Sequence, residues 1–125
     1  MIEKERKFKL KYLPQGLTPM RIKQGYLMIK NKKNLRVRII NDEVAYFTFK
    51  ISIDKSSKDE FEYQIPLSEA IEMYSKAEKR LEKTRYKTKF NGNNIDIDVY
   101  PDGLKVVEIE YEDNLKDGER VLPTV

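Results

Sequence analysis

Apolar and polar side chains alternate along most of the 125-residue chain. Because successive side chains of a β-strand point to opposite faces, this pattern predicts strands that each have one apolar face. Turns rich in Gly, Pro, Asn and Asp separate these stretches. The predicted strands cover residues 2–10, 21–30, 34–40, 44–52, 59–65, 83–90, 95–100 and 104–112.

One segment has a helical period instead. Apolar residues there recur at spacings of three or four, which predicts a helix over residues 67–80 with Ser68 as its N-cap. One principal helix among eight strands predicts a mainly β protein of the α+β class, built as a barrel or a sandwich. The length suits a single domain over residues 1–125, in which residues 113–125 form a loose polar tail.

The strand face opposite the apolar one is almost entirely ionic, and charges of like sign recur in pairs on single strands. An ordinary half-buried sheet with its charges in water is one explanation. However, paired carboxylates suit a divalent cation, and paired Arg or Lys suit phosphate. Ionic faces that point inward would therefore line a charged tunnel for a polyphosphate with its metal. These faces include Glu3, Glu5 and Lys7; Arg36 and Arg38; Lys50; Glu60 and Glu62; Lys83 and Arg85; Asp96 and Asp98; Glu108 and Glu110.

The composition narrows the chemistry. The chain has no Cys and no His, which excludes a thiol nucleophile, a Ser-His-Asp triad and zinc sites built from thiolate or imidazole. A metal would have oxygen ligands, which favours Mg²⁺, Mn²⁺ or Ca²⁺. The net charge of +4 is compatible with a polyanion but is small for a dedicated nucleic-acid binder. Without an apolar signal segment or membrane span in the sequence, a cytoplasmic location is expected.

A family resemblance follows the same residues. Glu3-x-Glu5-x-Lys7 matches the ExExK signature of the CYTH superfamily, the triphosphate tunnel metalloenzymes, and later segments resemble further family blocks in order. The chain looks most like the short bacterial tripolyphosphatase-type members. The resemblance implies an eight-stranded antiparallel β-barrel with an inward charged face. The matching segments are QGYL (24–27), RVRI (36–39), TFK (48–50), EFEYQIPLSEA (60–70), EKTRY (82–86), DIDVY (96–100) and VEIEY (107–111).

The resemblance also assigns roles to residues. Five acidic positions are implied as ligands of Mg²⁺ or Mn²⁺: Glu3, Glu5, Asp98, Glu108 and Glu110. Six cations are implied to bind phosphate: Lys7, Arg36, Arg38, Lys50, Lys83 and Arg85. The residues implied in catalysis are Glu3, Glu5, Lys7, Glu108 and Glu110. Glu60 and Glu62 would pair with tunnel cations or help a second metal, and Asp96 is either a further acidic site residue or a solvated one.

The implied function is metal-dependent hydrolysis of a triphosphate, either inorganic tripolyphosphate or an organic triphosphate. Conversion of ATP to cyclic AMP, as in class IV adenylate cyclases, is an alternative, and so is removal of phosphate from an RNA 5′-triphosphate end. A module that binds a triphosphate without turnover is another. Members of this family are often dimers, so a homodimer is compatible with the resemblance. Tyr26, Tyr63, Tyr86 and Tyr111 are expected to pack on the outer face rather than to act in the site.

Overall fold

The computed structural model describes residues 2–111, with the side chains of residues 6–89 and 91–110. The predicted mainly β fold with one principal helix is confirmed. The tail predicted at residues 113–125 lies outside the described residues. The elements are β1 (Ile2–Lys9), β2 (Pro19–Lys30), β3 (Lys33–Ile40), β4 (Val44–Ser52), β5 (Ser57–Ile65), α1 (Leu67–Ser75), β6 (Lys79–Phe90), β7 (Asn93–Val99) and β8 (Lys105–Tyr111).

The strands form an antiparallel ring in the order β1-β5-β4-β3-β2-β6-β7-β8. β1 pairs with β8 over six residue pairs, from Lys4 to Lys9. Its pairing with β5 has only three residue pairs, which join Ile2–Lys4 to Ser57–Asp59. The predicted barrel is therefore confirmed as an architecture, but the seam between β1 and β5 is closed along only part of its length.

The apolar residues pack on the outside of this barrel. One cluster fills the space between the sheet and α1, and its members Val37, Ile39, Ala45 and Ala70 are at most 2% exposed. A second cluster covers β7 and β8 on the other side, beneath Leu13 and Leu17. Because side chains alternate along a strand, burying the apolar face outside turns the ionic face inward. The second cluster consists of Leu10, Ile95, Ile97, Val107 and Ile109.

Two hairpin turns follow the sequence signals. Asn91 and Gly92 have φ angles of 51° and 78°, and Asn41 and Asp42 have φ angles of 52° and 54°. Positive φ at both central residues is the geometry of a type I′ turn, whose twist matches that of the flanking strands. These turns join β6 to β7 and β3 to β4, and so fix the registers that bring the charged faces together.

The predicted start of the helix at residue 67 is confirmed, but its predicted N-cap and its predicted end are wrong. Pro66, not Ser68, occupies the N-cap, and the helix ends at Ser75 rather than near residue 80. The Glu78 amide donates to the Tyr26 carbonyl at 2.9 Å, and β6 begins at the next residue. Leu81 fits a helical spacing, but it equally fits strand alternation, and pairing with β2 decides between them. Within the described residues, the one helix is nine residues long and could not cross a membrane.

Gly25 allows α1 and the segment after it to approach β2. A Cβ built at this position would lie 3.0 Å from the Cβ of Ala77 and 3.1 Å from Cδ1 of Tyr74. We expect Gly25→Ala to lower the free energy of unfolding by about 1–3 kcal/mol, because packed residues must move. Urea unfolding would measure this. Adding Ala77→Gly removes the nearest contact. The free energy of unfolding of the double variant should therefore fall by less than the sum of the falls in the two single variants. Additive losses would contradict this account.

Candidate functional site

The inward faces of all eight strands enclose a cavity of about 320 Å³. That volume lies within the range of small-molecule sites. Eight cations and five carboxylates line it, so the described lining has an excess of three positive charges. The cations are Lys7, Arg36, Arg38, Lys50, Lys58, Lys83, Arg85 and Lys87, and the carboxylates are Glu60, Glu62, Asp96, Glu108 and Glu110.

Strands β3 to β5 form one wall, in which two arginines reach across a strand. Nη2 of Arg36 lies 3.2 Å from Oε1 of Glu60, and Nη2 of Arg38 lies 3.0 Å from Oε2 of Glu62. Thr48 lies between Arg36 and Glu62 in the register of β4, and it also bonds Glu62. Its short side chain leaves the arginines room to reach the glutamates of β5. This geometry favours the ion-pairing role among those predicted for Glu60 and Glu62.

The two arginines of this wall retain unused donors. Nε of Arg36 and Nε of Arg38 are shielded from solvent and have no hydrogen-bond partner among the described residues. A buried donor without a partner is costly, and an anionic oxygen in the tunnel would satisfy it. Burial lowers the pKa of Arg38 from its usual value. The charge of Glu62 opposes this shift, while the charges of Arg36 and Arg85 add to it. A bound anion would relieve the repulsion among these guanidinium groups.

Strands β6 to β8 form the other wall, around Arg85. Nε and Nη2 of Arg85 donate to the two oxygens of Asp98 at 2.7 and 2.9 Å. Nη1 lies 3.3 Å from Asp96, and Nη2 lies 3.9 Å from Glu108. Lys83 donates to Asp98 at 2.8 Å. A bidentate contact fixes the plane of a guanidinium group, so Asp98 sets the orientation of Arg85.

Asp98 is fully buried and does not itself line the cavity. Burial alone would raise its pKa, but the hydrogen bonds and charges of Arg85 and Lys83 outweigh burial and hold the pKa below 3.8. Both of its oxygens are already bonded to cations. These contacts favour a positioning role for Asp98, whereas the sequence-based assignment as a metal ligand stays a prediction.

The acidic strands β1 and β8 provide the donors that suit a metal. Glu108 and Glu110 line the tunnel, and Glu5 is the direct register partner of Glu110. Carboxylates opposite each other repel unless a cation lies between them, and Mg²⁺ and Mn²⁺ prefer such oxygen ligands. The residues present therefore fit a divalent cation. The side chains of Glu3 and Glu5 fall outside the described part of the structure, so their roles stay predictions.

Among the side chains that are described, no group of three or more acidic residues converges as a metal site. Glu108 also contacts Lys7 at 3.5 Å, which shows that this carboxylate lies within reach of a tunnel cation. A metal at Glu108 and Glu110 would need further ligands, such as water or the carboxylates of β1. Mg²⁺ commonly retains several water ligands, so two protein carboxylates are compatible with binding.

Uncharged side chains occupy one part of the lining. Nε2 of Gln24, which is 2% exposed, donates to the Tyr26 hydroxyl at 2.6 Å. Tyr100 lies beside Lys83, whose Nζ is 5.8 Å from the ring centroid. Burial raises the pKa of Tyr100, and the charges of Asp98 and Glu108 raise it further. Tyr26 thus faces the tunnel, and the expectation that it packs outside is wrong, because Gly25 occupies the outer face beside α1.

The predictions that the other tyrosines pack on the outer face have different outcomes. Tyr86 packs against the outer apolar cluster, as expected, and Tyr63 is 62% exposed. The side chain of Tyr111 lies outside the described part of the structure.

All predicted site residues with described side chains line the tunnel except Asp98, which lies behind it. Sequence reasoning missed several lining residues. Period-two alternation would have found Lys58, two residues before Glu60, and Lys87, two residues after Arg85. Gln24 and Tyr26 flank Gly25, which occupies the outer face. Because neighbours along a strand point to opposite faces, both could have been recognised as inward-facing. The other missed lining residues are Asn34, Leu81 and Tyr100.

Known proteins resemble this chain in sequence and in fold. The family model described as the CYTH domain matches residues 1–120. An inorganic triphosphatase from Acetivibrio thermocellus is 38% identical over 96 residues, which cover 73% of this chain. The chain matches only 61% of the length of that relative.

Solved structures share the fold. The crystal structure of the inorganic triphosphatase NE1496 matches with a TM-score of 0.65 and 28% identity, covering 97% of this chain and 82% of that one. A conserved protein from Pyrococcus furiosus matches with a TM-score of 0.75 and 23% identity, over 94% and 83% of the two chains. A candidate adenylate cyclase from Bacillus halodurans matches with a TM-score of 0.55 and 15% identity, over 94% and 83%. The proteins from Pyrococcus furiosus and Bacillus halodurans show similarity of fold alone.

The buried Asp98 generates a prediction on stability. We expect Asp98→Asn to lower the free energy of unfolding at pH 7 by about 3 kcal/mol, because it leaves Arg85 and Lys83 buried beside an uncharged group. In the wild type, ionised Asp98 stabilises the folded state fully above pH 3.8, the ordinary pKa of the carboxyl. This stabilisation is lost as the pH falls through the lower pKa that Asp98 has in the folded state. Urea unfolding at several pH values would measure both effects.

Asp102→Asn is the matched control for this change. Asp102 is exposed and accepts a hydrogen bond from the Leu104 amide, which an asparagine side chain can also accept. The control should keep the wild-type free energy of unfolding at pH 7, and it should lose stability at low pH to the same extent as the wild type. Wild-type stability of Asp98→Asn at pH 7 would contradict the proposed anchoring of the two cations.

Proposed function

The chain belongs to the CYTH domain family, and from that premise we propose that it hydrolyses a triphosphate with the help of Mg²⁺ or Mn²⁺. Inorganic tripolyphosphate is the proposed substrate. An organic triphosphate is the alternative substrate, and it would be hydrolysed by the same chemistry. The inorganic triphosphatase from Acetivibrio thermocellus supports this choice by its similarity. The observation that carries the proposal is the tunnel of about 320 Å³, in whose described lining cations outnumber carboxylates.

The tunnel cations would hold the phosphate chain. Arg36 and Arg38 have buried Nε donors without partners among the described residues, and each can donate to a phosphate oxygen. Arg85 is held in place by Asp98, so it would present its guanidinium group without reorganisation. The proposed phosphate-binding residues are those named from the sequence: Lys7, Arg36, Arg38, Lys50, Lys83 and Arg85.

Glu108 and Glu110, with Glu3 and Glu5 of β1, would hold the divalent cation. When bound, the cation supplies neutralisation of phosphate charge and Lewis acidity at the phosphate oxygens. Lys7 lies 3.5 Å from Glu108 and would orient this carboxylate while contacting substrate. Partial enclosure of the cavity strengthens these electrostatic contacts, because the effective dielectric constant is lower there than in bulk water.

Hydrolysis breaks the bond between the terminal phosphorus and its bridging oxygen and forms a new bond to the oxygen of water. Orthophosphate and pyrophosphate leave, and the proton of the attacking water passes to a tunnel carboxylate or to solvent. The cations bind the charge that spreads over the equatorial oxygens in the transition state. No side chain needs to form a covalent intermediate.

The uncharged lining favours one second candidate, the conversion of ATP to cyclic AMP and pyrophosphate. Gln24, Tyr26 and Tyr100 offer an amide and phenol hydroxyls that can hydrogen-bond a sugar or base, and aromatic rings on which a base can stack. The products separate the two reactions, since hydrolysis of ATP releases orthophosphate and ADP instead. We expect orthophosphate, and a predominance of cyclic AMP would overturn the assignment as a hydrolase.

The main experiment measures phosphate release from inorganic tripolyphosphate. Purified protein should release orthophosphate and pyrophosphate with Mg²⁺ or Mn²⁺, and excess EDTA should stop the release. Glu110→Gln should lower turnover by about 10² or more, because it removes an anionic ligand of the cation that would neutralise charge in the transition state. Tight binding with unchanged tripolyphosphate recovered would instead indicate a module that binds without turnover.

Arg36→Gln tests the cationic wall. We expect kcat/KM for tripolyphosphate to fall by roughly 10²-fold, the usual loss for a preorganised donor at a developing charge. Arg21→Gln is the matched control, since Arg21 is exposed and pairs with Asp42 outside the tunnel. It should keep wild-type kinetics. Equal effects of the two substitutions would show that total charge, rather than the tunnel, controls the rate.

A further inference from the structure

The hairpin of β2 and β3 extends past its neighbour β6. In the described pairing, β2 is joined to β6 from Pro19 to Tyr26, whereas it continues alongside β3 to Lys30. The two residues of the turn, Asn31 and Lys32, have φ angles of 48° and 65°, which is the geometry of a type I′ turn. The end of this hairpin is therefore a short, well-defined structure that has no pairing with β6 beside it.

The turn between β4 and β5 lies next to this hairpin end. Because β2 and β4 are each antiparallel to β3, the β2–β3 and β4–β5 turns are at the same end of the barrel. The Ser52 amide donates to the Lys32 carbonyl at 2.8 Å and so joins the two turns. Oδ1 of Asp54 accepts from the amides of Ser56 and Ser57 at 2.9 and 2.8 Å, which stabilises the second turn. The two turns thus form one continuous surface.

Three aliphatic side chains are exposed on this surface. Met28 is 53% exposed, and Ile29 and Ile53 are each 49% exposed. A β-bulge in β2 sets Met28 opposite Leu35 and Ile29 opposite Asn34, so adjacent apolar side chains leave the hairpin on opposite faces. The barrel covers neither of them, and their transfer into another apolar phase would be favourable.

Exposed lysines surround these aliphatic side chains. Lys30 and Lys33 are direct cross-strand partners, and like charges in that arrangement repel each other. Asp54 is the one carboxylate in residues 28–33 and 53–56, and Asp59 of β5 is separated from Lys33 by Ile51 of β4. An anionic partner would relieve the repulsion between the lysines. We call this surface the lysine-rich tip; its cations are Lys30, Lys32, Lys33 and Lys55.

The chemistry of the lysine-rich tip favours an anionic lipid bilayer over a protein or a nucleic acid. Its cations are all lysines, a residue that is depleted in protein–protein interfaces, where arginine and aromatic residues are enriched. Its exposed apolar side chains are aliphatic, whereas sites for single-stranded nucleic acid stack bases on aromatic rings. At a bilayer surface, aliphatic groups enter the boundary of the acyl chains while ammonium groups stay at the anionic headgroups.

We propose that the lysine-rich tip docks the protein onto the surface of anionic phospholipid bilayers, with Met28, Ile29 and Ile53 entering the headgroup region and the four lysines contacting lipid phosphates. The contact is peripheral, since it uses the side chains of two turns. None of these seven residues lines the tunnel, so the inference goes beyond the proposed hydrolysis and does not depend on it.

The test measures co-sedimentation with vesicles of two compositions, phosphatidylcholine alone and an equimolar mixture of phosphatidylcholine and phosphatidylglycerol. The wild type should bind the mixed vesicles more tightly, and added salt should weaken this binding because it screens exposed charges. Lys30→Ala combined with Lys33→Ala should weaken it by roughly tenfold or more, since each basic residue near an anionic surface contributes about fivefold. A wild type that does not bind the mixed vesicles would overturn the proposal.

Arg21→Ala combined with Lys89→Ala is the charge-matched control. Both residues are exposed and lie at the opposite end of the barrel, where Arg21 pairs with Asp42 of the β3–β4 turn and Lys89 precedes the β6–β7 turn. This control should keep wild-type binding to the mixed vesicles. Equal losses in the two double variants would overturn the proposal, because they would show an effect of net charge alone.

Ile53→Ser tests the aliphatic part of the contact. It should weaken binding to the mixed vesicles by roughly fivefold, because about half of the side chain is still available for burial. Ile71→Ser on α1 is the matched control, since Ile71 is 55% exposed and lies outside the tip, and it should bind as the wild type does. Equal midpoints of urea unfolding would show that both variants are folded. Wild-type binding by Ile53→Ser would contradict the proposal.

Two other results would assign the tip to a different partner and overturn the proposal. One is a dimer, detected by light scattering, that Ile53→Ser converts to a monomer without changing vesicle binding, which would indicate an interface between copies of this chain. The other is a loss of affinity for a single-stranded oligonucleotide in the lysine variant without a loss for the mixed vesicles, which would indicate a nucleic-acid site.

Discussion

The structure depends on neutralisation of charge inside the barrel. Ionised groups taken from water cost several kcal/mol each unless they are paired and hydrogen-bonded. The fold meets this requirement by joining Arg85 to three carboxylates on β7 and β8 and by extending Arg36 and Arg38 across β4 to the glutamates of β5. The neutralisation is incomplete in the described lining, where cations remain in excess. An anion bound there would neutralise that excess.

The two walls differ in how firmly they hold their cations. Asp98 binds Arg85 through two hydrogen bonds and Lys83 through a third, all between buried groups. In the opposite wall, Arg36 contacts Glu60 at 3.2 Å and Arg38 contacts Glu62 at 3.0 Å, and each arginine keeps a buried Nε without a partner among the described residues. One wall is therefore preorganised, and the other has donors available for a ligand. Preorganised dipoles and charges are the arrangement that lowers an electrostatic barrier without reorganisation.

The alternation of side chains was enough to predict eight strands with one ionic face each. The pairs of like charge and the family resemblance then indicated that this face points inward. The alternation could not predict where the helix ends, because Leu81 satisfies both a helical and a strand period, and only its pairing with β2 distinguishes them. It also could not identify which charges contact one another. Asp98 and Asp96 are equivalent in the sequence pattern, yet one is bonded behind the tunnel and the other lines it. Such differences arise from three-dimensional packing across strands.

The incomplete seam connects the fold to the function. β1 carries Lys7 and, by register, places Glu5 opposite Glu110, but three residue pairs are all that join it to β5. A ligand in contact with both Lys7 and Lys58 would bridge these two strands through its own charge. Because a ligand that binds only the folded state stabilises it, occupancy of the tunnel and closure of the seam would support each other.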